Sequence, residues 1–230
     1  MFVSLPTRQR SGLRWATPLL FVLLWGAFVW ATMGSDREQR ALVMGWGALS
    51  GGLTSPEAWP AAFQDGRALR LVTALVLHAD WAHLLGNLVF LLIFGLPAER
   101  AMGAWRFLLL FLLGGAVANL AAALSIGAPD RIIIGASGAV SAVIGAYLAL
   151  FPRAKLGVVV PLGLFLEFVR APASLLIGIW ALLQVVFAYI GPTLGAVAWW
   201  AHLAGFAFGV VYAMFVRAAI ARRMRRQRGF

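Results

Sequence analysis

The chain is built from apolar runs about twenty residues long, each closed by a short polar or basic connection. A helix rises 1.5 Å per residue, so roughly 20 apolar residues cross a bilayer's hydrocarbon. Lipid offers no hydrogen bonds, so the backbone of such a run must satisfy itself by forming a helix. Six runs qualify, at about 16–33, 81–98, 104–126, 135–151, 172–190 and 196–216. They predict an all-α membrane protein, a bundle of six transmembrane helices. The apolar stretch 156–168 is short and broken by Pro161; it is expected at the interface, not as a seventh span. A hydrophobic content of 62% with only 12% charged residues fits this class, since soluble domains carry about 45–50% apolar and 25% charged residues. No long polar segment, internal repeat or low-complexity tract is visible. The expected organisation is a cytoplasmic N-terminal segment (1–15), a six-span domain (16–216) and a basic cytoplasmic tail (217–230).

The net charge of +11 raises the possibility of nucleic acid. Its distribution points instead to a membrane, because the arginines gather at the ends of apolar runs. With an even number of spans, one face collects 14 of the 19 basic residues and the opposite loops hold 5. Six of the eight acids fall in those opposite loops. Both termini are therefore expected in the cytoplasm of a multi-pass protein of the cell membrane. The tail "RRMRRQRGF" then lies beside anionic headgroups, and no nucleic-acid partner is expected. There are no cysteines, which excludes disulfides and thiolate metal sites. The first run is as long as a span, without a small-residue cleavage signature, and reads as a retained helix. The first external loop, about 34–80, carries Trp46, Trp59 and several glycines, and is expected to be partly structured.

The chain has three histidines, His78, His83 and His202. Strongly polar groups within spans are costly and usually functional. Spans two, four and six all enter from the outer face. His83 and Asn87 lie in the first turns of span two and share a face. Ser137 opens span four, and His202 lies about two turns into span six. Topology thus gathers four polar groups from three helices in the outer half of the membrane. Gly138, Ala142 and Ala146 form a small-residue stripe on span four; Ala201, Gly205 and Gly209 form one on span six. Such stripes let helices pack backbone to backbone. If they meet, Ser137 and His202 come within hydrogen-bonding reach.

Those are the parts for acyl transfer. A neutral His202 imidazole would take the Ser137 proton and deliver it to the leaving amine. The Ser137 backbone N–H, the His83 ring and the Asn87 amide would stabilise the oxyanion. Span six has no acid, so a dyad is expected. Each residue has a plainer reading: Ser137 as a helix cap, His202 as a buried structural histidine, His83 and Asn87 as interhelical hydrogen bonds. Their joint placement is much harder to reach by chance. His78 reads as structural, shaping the loop before Asp80, itself an expected helix cap. Glu99 and Arg100 are expected to be solvated or paired near the cytoplasmic face.

The motifs "HADWAHLLGN" on span two, "GLPAERAMG" after it, "GASG" opening span four and "AHLAGFAFG" on span six, in this order, resemble the rhomboid intramembrane serine proteases of the six-span bacterial type. The resemblance runs from about Leu69 to Gly209. It implies Ser137 as nucleophile, His202 as base, His83 and Asn87 as the oxyanion pair, and Gly135, Gly138, Gly205 and Gly209 at close helix contacts. It also implies single-span membrane proteins as substrates, cut in the bilayer near the outer face, with no metal and no organic cofactor. Many relatives place an aromatic residue one turn after the nucleophile; here that position is Ser141. Where the loop before span two often has Trp-Arg, this chain has Leu69-Arg70. Span five and the first external loop are candidates for a movable gate. Three other readings remain: a haem protein using His83 and His202 as iron ligands, a rhomboid-like binder without activity, and, less favoured, a transporter.

Overall fold

The structure is a computed structural model that describes residues 14–50, 57, 59–125, 131–162, 165–190 and 199–228. It is mostly helical. The main helices are α1 (Ala16–Thr32), α2 (Asp36–Trp46), α3 (Trp59–Gln64), α4 (Trp81–Met102), α5 (Ala104–Ser125), α6 (Ser137–Leu150), α7 (Ala173–Ile190) and α8 (Trp199–Arg228). Among the described residues, α4, α5, α7 and α8 are long and apolar enough to cross a membrane, while α1 and α6 are shorter apolar helices. Residues 1–13 and 229–230 lie outside the described part, so the ends of the expected terminal segments do too. The helix α8 continues without a break through the basic segment to Arg228.

At the centre stands α6. Residues Gly138 to Tyr147 are all buried, as expected for a helix apolar on every face. With 14 residues it is about 21 Å long, short of the roughly 30 Å hydrocarbon. Two neighbours pack on it through small residues. A Cβ on Gly205 would strike the Gly138 carbonyl, one on Gly209 the Ala142 carbonyl, and one on Gly145 the Phe206 carbonyl. On the other side, Gly114 meets Ala142 and Gly138 meets Ala118.

Helix α4 passes through one π turn, Leu91–Gly95. Pro97 follows it, with no N–H to offer the preceding turn and a ring that crowds it, and the wider turn absorbs both defects. Just beyond lies Glu99. It is not solvated: it is only 1% exposed and accepts hydrogen bonds from the backbone N–H groups of Ala16 (2.9 Å) and Thr17 (2.8 Å). The first N–H groups of a helix have no intrahelical acceptor. The Glu99 carboxyl supplies two, at the positive end of the α1 dipole.

Hydrogen bonds hold the described residues between α1 and α4. Ser35 and Glu38 close a capping box on α2, and the same hydrogen bonds hold the exposed Glu38 carboxyl below its usual range. Thr73 donates to the Trp46 carbonyl and Arg70 to that of Met44. Strand β1 (Ala48–Leu49) pairs antiparallel with β2 (Ile132–Ile133), just before α6. The expected interfacial stretch 156–168 lies in a hairpin of β3 (Lys155–Leu162) and β4 (Phe165–Pro172), in register from Lys155–Pro172 to Leu162–Phe165. The purely helical expectation is corrected here. Three successive valines, Val158 to Val160, favour a strand, and Pro161 excludes a helix interior.

His78 is buried beside this framework, its ring edge-on to His83 at 5.1 Å. Neither of its ring nitrogens makes a well-formed hydrogen bond. Burial, with the neighbouring His83 adding to it, lowers its pKa to about 4, so it is neutral at pH 7.

Two expected outcomes follow from this packing. Replacing Glu99 by Ala leaves two buried N–H groups unpaired and lowers stability by about 2–4 kcal/mol; thermal unfolding in detergent measures it, and an unchanged midpoint would contradict the capping role. Gly209→Ala forces α8 off α6 and lowers the midpoint by several degrees. Gly26→Ala, where a new Cβ meets nothing within 4 Å, leaves it equal or higher, because Ala favours helix.

Candidate active site

Three local devices bring the polar groups together. Asp80 caps α4, its carboxylate accepting from the His83 backbone N–H at 2.8 Å. That fixes the first turn of α4, and Asn87 lies one turn further on the same face. Asn87 is buried, 6% exposed, and its amide nitrogen has no partner among the described residues. A buried donor of this kind is costly unless something accepts from it.

The second device is the turn into α6. Gly135 has φ +113°, a conformation L side chains rarely adopt. A Cβ there would also lie 2.6 Å from the His83 Nε2. Glycine at 135 thus serves the turn and admits the His83 ring. Irregular backbone here is satisfied within the protein: the Gly135 N–H donates to the Ala74 carbonyl at 2.9 Å, and the Arg131 N–H to the Ser50 hydroxyl at 3.1 Å. Ala136 is the N-cap and Ser137 the first helical residue, so the Ser137 hydroxyl does not cap α6.

The third device is the contact of α8 with α6. With Gly205 on the Gly138 carbonyl, His202 stands over the start of α6. Its Nε2 lies 2.9 Å from the Ser137 Oγ. Its Nδ1 lies 2.7 Å from the Oε1 of Gln184 on α7. Trp199 meets the ring edge-on at 6.0 Å. The Ser141 hydroxyl donates back to the Ser137 carbonyl at 2.7 Å. Both ring nitrogens of His202 thus have protein partners, Ser137 and Gln184.

Ser137, His202 and His83 are therefore gathered around Gly135 and the first turn of α6, with Asn87 on the adjoining face of α4. The arrangement offers a hydroxyl beside an imidazole, an unpaired amide donor, and a helix start whose N–H groups lack intrahelical acceptors. Two polar residues went unnoticed in the sequence. Gln184 interrupts the apolar run 173–190, a signal that polar groups in spans carry in general. Asn119, buried in α5, donates to the Leu71 carbonyl at 2.8 Å and anchors the helical segment before α4.

Comparison with known proteins agrees with this architecture. Residues 65–219 match the Rhomboid domain. A stretch of 85 residues is 36% identical to the Putative rhomboid protease YdcA of Bacillus subtilis (strain 168), over 36% of this chain and 42% of that protein. RHOMBOID-like protein 5 of Arabidopsis thaliana is 30% identical over 86 residues, 37% of this chain and 28% of that protein. Rhomboid protease GluP of Bacillus subtilis (strain 168) is 35% identical over 114 residues, 46% of this chain and 22% of that protein. The chain spans under half the length of each of these relatives. Because the matched domain takes in well over half of the chain, and α4, α5, Ser137 and His202 lie inside it, this protein belongs to the rhomboid family.

Proposed function

We propose that the chain is an intramembrane serine endopeptidase that cleaves transmembrane segments of single-span membrane proteins near the outer face of the cell membrane. The observation that carries this reading is the 2.9 Å approach of His202 Nε2 to Ser137 Oγ across two helices. Nothing in the packing of apolar helices demands such a pair, and burying it without use is costly.

In this reading His202 accepts the hydroxyl proton as the Ser137 Oγ attacks the scissile carbonyl carbon, and the same proton passes to the departing amine. The acyl-enzyme is then hydrolysed by water activated at the same imidazole. Negative charge on the carbonyl oxygen is met by the Ser137 backbone N–H, the Asn87 amide and the His83 ring. The orphaned Asn87 donor supports this role, since the oxyanion gives it the acceptor it lacks. Six spans, with α1 and α6 added to the four long helices, and both termini in the cytoplasm put the site on the outer side; the basic connections favour that orientation. A helical substrate hides its carbonyls in hydrogen bonds, so cutting is expected near Gly, Pro or other helix-weakening residues. No metal or organic cofactor takes part in this scheme.

A fluorogenic transmembrane peptide, with protein purified in detergent, tests the proposal. Ser137→Ala and His202→Ala each remove cleavage while the fold survives. His83→Ala and Asn87→Ala lower kcat by about 10²–10³-fold. Cleavage retained in Ser137→Ala would overturn the reading.

A further inference from the structure

The helix α7 shows apolar side chains on most of its surface, with Leu175, Ile179, Leu182 and Leu183 exposed. Its buried residues are Ala173, Ile177, Gln184 and Ala188, one face of the helix. Gln184 is the single polar member of that face, 6% exposed, and its Oε1 lies 2.7 Å from Nδ1 of His202.

A neutral imidazole carries its proton on either nitrogen, and only one tautomer is useful here. An acceptor oxygen at Nδ1 keeps the proton there and leaves the Nε2 lone pair facing the Ser137 hydroxyl. The reversed amide would present its NH2 group to Nδ1, force the proton onto Nε2 and deprive Ser137 of its acceptor. The ring also needs to be held. Ser141, one turn beyond Ser137, donates its hydroxyl hydrogen to the Ser137 backbone carbonyl, so that hydrogen does not go to the imidazole. Trp199 touches the ring only by an edge.

We propose that Gln184 is a positioning residue, which holds His202 in the Nδ1-protonated tautomer and aims Nε2 at Ser137. The assignment rests on the reading of Ser137 and His202 as the reacting pair. An amide fits this place for a physical reason: a buried carboxylate would carry a large desolvation cost among apolar helices, while the neutral acceptor orients the ring without it. Span five thereby contributes directly to the geometry of the reacting histidine.

Two readouts test the proposal on the full chain in detergent micelles: 15N resonances of selectively labelled histidine, assigned by single replacement of each of the three histidines, and steady-state cleavage of the fluorogenic peptide. In the wild type, the His202 nitrogens give the pattern of an Nδ1-protonated neutral ring. In Gln184→Leu that pattern shifts toward the other tautomer, and kcat falls about 10–10²-fold with KM unchanged. Gln184→Glu keeps an acceptor oxygen in either protonation state and restores both readouts toward wild type. Overturning results are an Nε2-protonated His202 in the wild type, a Leu variant with wild-type resonances and kcat, or Leu and Glu variants impaired alike. The resonances do not depend on turnover. A wild type that fails to cleave yet shows the tautomer change removes the protease reading and leaves the positioning role standing.

Discussion

The close packing of α8 on α6 sets everything else in the molecule's functional half. Gly205 rests on the Gly138 carbonyl and Gly209 on that of Ala142. At those positions a single methyl group would push the helices apart. In a bilayer the hydrophobic effect gives little net force between helices, so close van der Waals contact has to supply the attraction. Because Ser137 precedes Gly138 and His202 stands three residues before Gly205, the same contact that holds the helices fixes the distance between hydroxyl and imidazole. Stability and chemistry depend on one seam.

The second organising constraint is the absence of water for the backbone. A short central helix must begin inside the protein, and its approach is irregular chain. Among the described residues, backbone groups there find protein partners: β1 pairs with β2, Gly135 with Ala74, and Arg131 with Ser50. Glu99 does the same for the start of α1, and Asn119 for the Leu71 carbonyl. Among the described residues, Glu99, Asn119 and Ser50 thus use their side chains to complete the backbone. Asn87 and His78 are exceptions, each buried with side-chain nitrogen that makes no well-formed hydrogen bond among the described residues.

Much of the architecture was legible in the sequence because bilayer thickness and backbone satisfaction leave few choices. Helices α4, α5, α6 and α7 begin within about two residues of the apolar runs that announced them. The end of α4 lies at Met102 and not at 98; the π turn before Pro97 lets the helix continue past it. The hairpin of β3 and β4 was missed because hydropathy alone does not separate a short apolar strand from an interfacial segment. The two small-residue stripes were readable from their spacing; that they meet is seen in the contacts of Gly205 with Gly138 and Gly209 with Ala142. Glu99, Gln184 and Asn119 were not assigned their partners, and the reason is common to all three. Each bonds a group distant along the chain, 83, 18 and 48 residues away, and no local pattern encodes such a pairing.

The central claim is that His202 makes the Ser137 hydroxyl a nucleophile. A fluorophosphonate reports that most directly, because an activated serine oxygen displaces fluoride from phosphorus and leaves a covalent adduct with no need for a substrate helix to enter. Intact-mass and peptide mapping of the detergent-solubilised chain should find one adduct, on Ser137, formed in the wild type and lost in His202→Ala. A wild-type Ser137 that stays unmodified, or one that reacts equally fast without the imidazole, would contradict the account.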